Sequence, residues 1–237
     1  MAEHLLRQGY AVTVTHRSSH EKARLFAEAA AARGEALLAL AADAADERAV
    51  QGSLAAHAER FGPPWALVHA AGPFLAGRTP FADVELDKVR QVLEGNLWSA
   101  MLYTHAAVPA MRAAGGGRII LFGYDQAAEL PAWPGRAAYA AAKSGVLSLA
   151  RSLAEEEAPH RITVNVVCPG DIRRPLKEGD ISEARRSGDD AAPIGRPGSG
   201  EDVARVVSFL LLDDSDFLTG NILAVDGGLD VIHRGRG

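Results

Sequence analysis

The sequence predicts a doubly wound α/β fold: a parallel sheet with helices on both faces, in three layers. Three observations predict it. Strand-like and helix-like segments alternate from one end of the 237 residues to the other. Two of the strand segments, Trp65-Ala66-Leu67-Val68-His69 and Arg118-Ile119-Ile120-Leu121-Phe122, are short and almost wholly apolar, as strands covered on both faces are. No internal repeat and no Pro/Gly-rich linker interrupts the alternation, so one domain is expected over residues 1–237.

Each element has its own signal. Met1 to Gln8 reads as a helix with Leu5 and Leu6 on its apolar side and Gly9 ending it. Tyr10 to Thr15 is a strand of alternating β-branched residues. A helix over His20–Arg33 is closed by Gly34, a strand follows over Ala36–Leu40, and a helix over Asp46–Arg60. After the strand Trp65–His69, one long helix is predicted from Glu85 to Ala113, stopped by Gly115-Gly116-Gly117. The strand Arg118–Phe122, a helix from Gly135 to Glu156 and a strand over Ile162–Val167 come next. Residues 171–199 are polar and rich in Gly and Pro, and read as a long loop with a short helix or two. A helix over Glu201–Leu212 and a strand over Ile222–Val225 complete the alternation. In such sheets ligands bind beyond the carboxyl ends of the strands. The candidate chemistry therefore lies in the loops Thr15–Ser19, Ala42–Ala45, Ala70–Ala76, Gly123–Pro134 and Pro169–Pro197.

Composition narrows the function classes. A net charge of −5 offers no broad basic surface for nucleic acid or anionic lipid. No apolar run approaches the roughly 20 residues needed to cross a membrane. The one cysteine, Cys168, cannot form an internal disulfide, and the first residues lack the basic-then-apolar order of a signal peptide, so a cytoplasmic location is expected.

One short stretch carries recognisable chemistry. Tyr139 and Lys143 stand four apart on a predicted helix, so their side chains share a face. A phenol ordinarily titrates near about 10 and is a poor acid or base at neutral pH. An ammonium beside it favours the phenolate and makes a group that can exchange a proton with a reacting oxygen.

Six segments in order then resemble the classical short-chain dehydrogenases/reductases along nearly the whole chain. Tyr139-x-x-x-Lys143 is similar to the family's catalytic pair, and His69-Ala70-Ala71-Gly72 to its Asn-Asn-Ala-Gly segment. Asn96 falls at its catalytic and structural asparagine, and Cys168-Pro169-Gly170-Asp171-Ile172 at its Pro-Gly turn. Pro193 to Ala204 and Thr219 to Gly228 are similar to its two C-terminal stretches.

The resemblance implies a Rossmann-type fold and reversible hydride transfer between a nicotinamide cofactor and a small carbonyl or alcohol substrate, as in the family's 3-oxoacyl-thioester reductases. Tyr139 would be the acid or base, Lys143 would lower its pKa and hold the nicotinamide ribose, and Asn96 would position a water. Ala70, Ala71, Gly72, Pro169, Gly170 and Ile172 would line the cofactor, and Asp43 would meet the adenine or else cap the helix starting near Asp46. Where a carboxylate would read a ribose 2′-OH, the chain has Arg17 and Ser18, which suit a 2′-phosphate. NADP(H) is therefore expected over NAD(H). The long helices over 85–113 and 135–156 resemble those through which the family forms homodimers and homotetramers.

The chain also departs from the pattern. Counting back from His16 places the glycine-rich phosphate turn, and the strand before it, ahead of Met1. A gap in the sheet is expected there, and an N-terminal extension in the working protein. Between Gly117 and Tyr139 there is no Ser or Thr to stand for the family's catalytic serine; Tyr124 is the expected substitute, with Gln126 the other candidate. Arg173-Arg174 replaces a threonine that touches the cofactor amide. The alternative reading is a non-catalytic or regulatory dinucleotide-binding protein.

Overall fold

A computed structural model describes residues 1–75, 77–172, 175–189, 192–230 and 232. The elements follow the predicted order: α1 (Ala2–Arg7), β1 (Val12–His16), α2 (His20–Ala32), β2 (Leu37–Ala41), α3 (Glu47–Phe61), β3 (Ala66–His69), α4 (Leu86–Leu93), α5 (Ser99–Ala114), β4 (Gly117–Phe122), α6 (Ala137–Glu157), β5 (Ile162–Pro169), α7 (Ile181–Ser187), α8 (Gly200–Leu211) and β6 (Ile222–Val225). Every strand pairing is parallel.

The pleat sorts the core into two layers. On β4, Ile119 and Leu121 point to one face and Ile120 and Phe122 to the other, as a period of two requires. Ile119, Leu121, Val164 and Val166 pack with Ala107 and Met111 of α5 and Val146, Leu147 and Ala150 of α6. Ile120, Phe122 and Val167 pack instead with Leu5 of α1 and Val203, Val207, Leu210 and Leu211 of α8. Helices thus cover both faces of the sheet, as the alternating sequence pattern requires.

Among the described residues the strands form two sheets, β1-β2 and β3-β4-β5-β6, with no pairing between β1 and β3. The gap expected in the sheet lies between β1 and β3. The two sheets are tied through side chains: Val12 of β1 and Ala66 and Val68 of β3 all pack against the α1–α8 cluster.

One expectation needs correction. The long helix over Glu85–Ala113 is two α-helices joined by a π-turn over Glu94–Trp98. The wider turn takes up one extra residue, so the helix continues while the sequence repeat shifts by one position. Such turns occur often at functional sites, and this one contains Asn96. The stop at the glycines holds: Gly115 takes the left-handed conformation, φ 87°, and closes α5.

Candidate active site

Because all the pairings are parallel, the strand-end loops gather along the carboxyl edges of the sheets. The loop after β3 runs into the π-turn. Asn96 is fully buried there, its Nδ2 donating to Val92 O (2.9 Å) and Pro73 O (3.0 Å). Its Oδ1 accepts no hydrogen bond among the described residues. A methyl group added at Gly72 would stand 2.1 Å from that oxygen, and Gly72 has φ 151°, so no other residue fits. Asn96 and Gly72 therefore form one joint between the loop and the helix.

Tyr139 and Lys143 lie on the first turns of α6, with the Lys143 Nζ 5.9 Å from the Tyr139 ring centre. Lys143 is buried and donates to Phe122 O (2.9 Å) at the end of β4. Burial lowers its pKa to about 8. The expected depression of the Tyr139 pKa is corrected: burial, with smaller contributions from Cys168 and Tyr124, raises it to about 12. Spacing shows which groups are neighbours but not how little water reaches them, and here the loss of water outweighs the one lowering influence, the Arg136 charge.

The same dry surroundings act on other groups. His69 is buried, and burial followed by the Lys143 charge lowers its pKa to about 4. It is therefore neutral at physiological pH. Its Nε2 lies 3.0 Å from Ser99 Oγ, which also donates to Gly95 O (2.8 Å). A hydroxyl has one hydrogen, so with that hydrogen on Gly95 the imidazole is the donor to Ser99. Cys168 is buried beside Gly123, and burial, reinforced by Asp125, raises its thiol to about 12, which keeps it protonated and unreactive.

Around Tyr139 stand three rings that lie far apart in the sequence. Phe74 meets it edge-on at 4.9 Å, Trp133 at 6.0 Å and Tyr124 at 6.2 Å. Tyr124 and Trp133 also contact each other, at 5.1 Å. The Tyr124 hydroxyl interacts with Ser144, and burial raises its pKa. The Arg136 guanidinium lies 4.2 Å above the Phe74 ring. The loop bearing Tyr124 and Trp133 includes two non-glycine residues in the left-handed region, Gln126 (φ 57°) and Leu130 (φ 51°), a form of strain that collects at functional sites. Phe74, Trp133, Arg136 and Ser144 were not among the residues singled out from sequence. Only Arg136, three before Tyr139 at the head of the helix, had a spacing signal.

The remaining predicted residues lie along the same edges. Arg17 and Ser18 are exposed directly after β1, and Arg17 forms no ion pair with any described residue. Asp43, after β2, accepts from Ala45 N (3.0 Å), whereas the cap of α3 is Asp46, which accepts from Ala49 N (2.8 Å). Asp43 is thus not the helix cap. Ala70, Ala71 and Gly72 form an exposed run after β3. Pro169 pairs with Val225, and Gly170 donates to Val225 O (3.0 Å). A Cβ at Gly170 would come within 2.7 Å of Asp226 Cα, so this turn needs glycine to lie against β6. Ile172 follows, with its N on Gly170 O (3.0 Å). Arg173 and Arg174 lie outside the described residues.

Known proteins share this arrangement. The family model described as Enoyl-(Acyl carrier protein) reductase matches residues 1–230. A candidate oxidoreductase of Bacillus subtilis (strain 168), YtkK, is 40% identical over 237 residues, which is 100% of this chain and 93% of that protein. A solved structure of a candidate 3-oxoacyl-reductase from Bacillus thuringiensis superposes with a TM-score of 0.91 at 39% identity, covering 98% of this chain and 92% of the other. A blue fluorescent protein from a metagenomic library, solved in complex with NADPH, superposes at 0.81 with 33% identity, covering 95% and 90%. With the Tyr139–Lys143 pair, the Asn96 turn and the doubly wound sheet in the family's order, the chain belongs to the short-chain dehydrogenases/reductases, a family of nicotinamide-dependent oxidoreductases.

Proposed function

We propose that this oxidoreductase is NADP(H)-dependent and interconverts a carbonyl and an alcohol on a small molecule, in the manner of 3-oxoacyl-thioester reductases. The observation that carries the reading is the pairing of a buried phenol and a buried ammonium on one helix face at the carboxyl edge of the sheet. Tyr139 gives its proton to the substrate oxygen during reduction and takes it back during oxidation. With a pKa near 12 it is protonated at neutral pH, the form that reduction needs, and the positive charges of Lys143 and the nicotinamide would have to ease release of that proton. Lys143, still protonated below about pH 8, eases the charge left on the phenol. The Asn96 Oδ1, a buried acceptor with no described partner, can hold a water that passes protons to Lys143. Tyr124 takes the place of the missing serine, with its hydroxyl steered by Ser144 and its ring beside Tyr139.

The residues fit a nicotinamide dinucleotide. Gly72, at φ 151°, and Gly170, where a Cβ would meet Asp226 at 2.7 Å, hold two strand-end turns that leave bare backbone at the edge. Ala70, Ala71, Gly72, Pro169, Gly170 and Ile172 would line the nicotinamide half. Arg17 and Ser18 would take the 2′-phosphate and Asp43 the adenine. Bound there, the nicotinamide supplies or accepts the hydride. Leu86, Leu93 and Trp98, exposed on α4 and the π-turn, support a homodimer or homotetramer. A lone buried cysteine is compatible with a cytoplasmic site of action.

The test is loss of NADPH absorbance with a panel of ketones that includes a 3-oxoacyl thioester. Turnover with NADPH well ahead of NADH is expected. Arg17→Ala should lower the NADPH-over-NADH preference by about 10-fold through loss of a charged fork on phosphate. Binding of NADPH without turnover of any carbonyl would instead support the non-catalytic alternative.

A further inference from the structure

We propose that the wall around Tyr139 selects substrates carrying a carboxylate on a ring, with Arg136 as the residue that reads the carboxylate; this rests on the reading of Tyr139 as the proton donor to substrate. Whatever oxygen Tyr139 meets, the body of that molecule must pass Phe74, Trp133 and Tyr124. These rings stand 4.9–6.2 Å from the Tyr139 ring. Phe74 leaves half its surface open (52%). Such a wall offers stacking surface to a flat or cyclic apolar body.

Arg136 gives this apolar wall a charged end. Its guanidinium carbon lies over Phe74, 4.2 Å from the centre of the ring that meets Tyr139 edge-on. One of its five N–H groups is spent on Leu75 O. No described carboxylate pairs with it, in contrast to Arg24, Arg112 and Arg196, which are each held by an acid. A second cation, Arg78, acts on it: burial, followed by the Arg78 charge, lowers the Arg136 pKa, while the Arg78 Nη2 itself donates to Ile232 O (3.1 Å). The Arg136 charge also reaches the phenol, where it works against burial.

A guanidinium that is fixed at one end, stacked on a ring, adjacent to a like charge and lacking an acid is prepared for a planar oxyanion. The carboxylate would stand at Arg136 while the ring lies along Phe74 and the reacting oxygen reaches Tyr139.

A matched pair of substrates tests this with the full chain. NADPH-driven reduction of 4-oxocyclohexanecarboxylate is compared with that of its methyl ester. Wild type should favour the acid by at least about 10-fold in kcat/KM, chiefly through KM, as one charged bidentate contact allows. In Arg136→Gln the acid-over-ester ratio should fall to about one, and Arg136→Lys should keep part of it. A wild-type enzyme that handles the ester as well as the acid overturns the proposal. So does an Arg136→Gln variant that loses both substrates by the same factor, since that is damage to the loop and not loss of recognition. If neither compound turns over, the hydride-transfer reading fails for them, and recognition is read by tryptophan fluorescence with cyclohexanecarboxylate against its methyl ester. Tighter binding of the acid that disappears in Arg136→Gln upholds the site, and equal binding of acid and ester rejects it.

Discussion

The β1-β2 pair and the β3–β6 sheet are built from similar sequence and end up in different physical states. Every residue of β4 is buried, as are all but the last of β5. In β1 and β2 no residue is fully buried. The apolar content of Leu37-Leu38-Ala39-Leu40-Ala41 does not account for this. The number of paired edges does: β4 and β5 have a strand on each side, whereas β1 and β2 each have one. A strand joined on both edges and covered on both faces is the more strongly held. The residues proposed for proton transfer sit on or against the four-stranded sheet, with Lys143 bonded to the end of β4. The residues proposed for the far end of the cofactor, Arg17, Ser18 and Asp43, sit on the looser pair. Precise chemistry needs a rigid support, whereas holding a long flexible cofactor tail does not.

The comparison can be broken at its strongest point. If the chemistry belongs to the four-stranded half, Tyr139→Phe should lower kcat by about 10³-fold, within the range for loss of a general acid. Binding of NADPH, measured by calorimetry, should stay close to wild type. Comparable turnover in the variant would remove Tyr139 from the reaction. The difference in packing predicts a second asymmetry. Ile119→Ala, in a fully buried strand, should cost about 4 kcal/mol by urea unfolding, and Leu38→Ala, half-buried on β2, about 1 kcal/mol. Equal costs would mean that the two-stranded pair is as firmly held as the rest.

Lys143 sharpens the contrast, because its cost comes from the dryness of the tight half. Its folded pKa, about 8, lies below its ordinary 10.5. Between those values the unfolded chain holds a proton that the folded chain has released, so stability rises with pH across the window. Below about pH 8 both states are protonated, and a cost on the order of 3 kcal/mol is carried in full. Lys143→Met should therefore be more stable than wild type at pH 7, with the gap closing towards pH 10. Tyr139 and Cys168 act in the opposite sense at high pH and are present in both proteins, so the difference reports Lys143 together with its coupling to Cys168 and His69. Parallel stability curves across that window would show that water reaches this lysine.

The fold was legible in the sequence wherever a local pattern governs it. Alternation, strand composition and glycine stops placed each strand and most helices within a residue or two. The π-turn was not legible, because the one-residue shift it makes in the apolar repeat is hidden by the adjacent apolar pairs Val92-Leu93 and Leu97-Trp98. The Tyr139–Lys143 pair was visible through its spacing, and Asn96 through its place in a family pattern. The ring wall was not, because Phe74, Tyr124 and Trp133 come from two loops whose meeting depends on the sheet beneath them. Arg136 was overlooked for a related reason. Its significance lies in the acid it lacks, and a missing tertiary partner leaves no mark on the chain.

The smallest expected effects compare ion pairs across the same divide. Arg112 donates both Nε and Nη2 to Glu157, at 2.7 and 2.6 Å, and the Glu157 side chain is 2% exposed. Removing Arg112 strands a buried carboxylate. Because the arginine itself is 45% exposed and partly screened, we expect Arg112→Ala to lower the urea midpoint clearly, though by less than the loss of one partner from a fully buried pair. Arg24, on α2 beside the looser strands, bonds both Glu21 and Glu28, but all three are more than half exposed. Its alanine variant should leave the urea midpoint almost unchanged, the more so at high salt. Arg24 thus makes more ionic contacts than Arg112 and should matter less. If urea unfolding gave the two variants the same cost, ion-pair geometry alone would be setting the energy, and the difference in burial between the two halves would have no bearing on it.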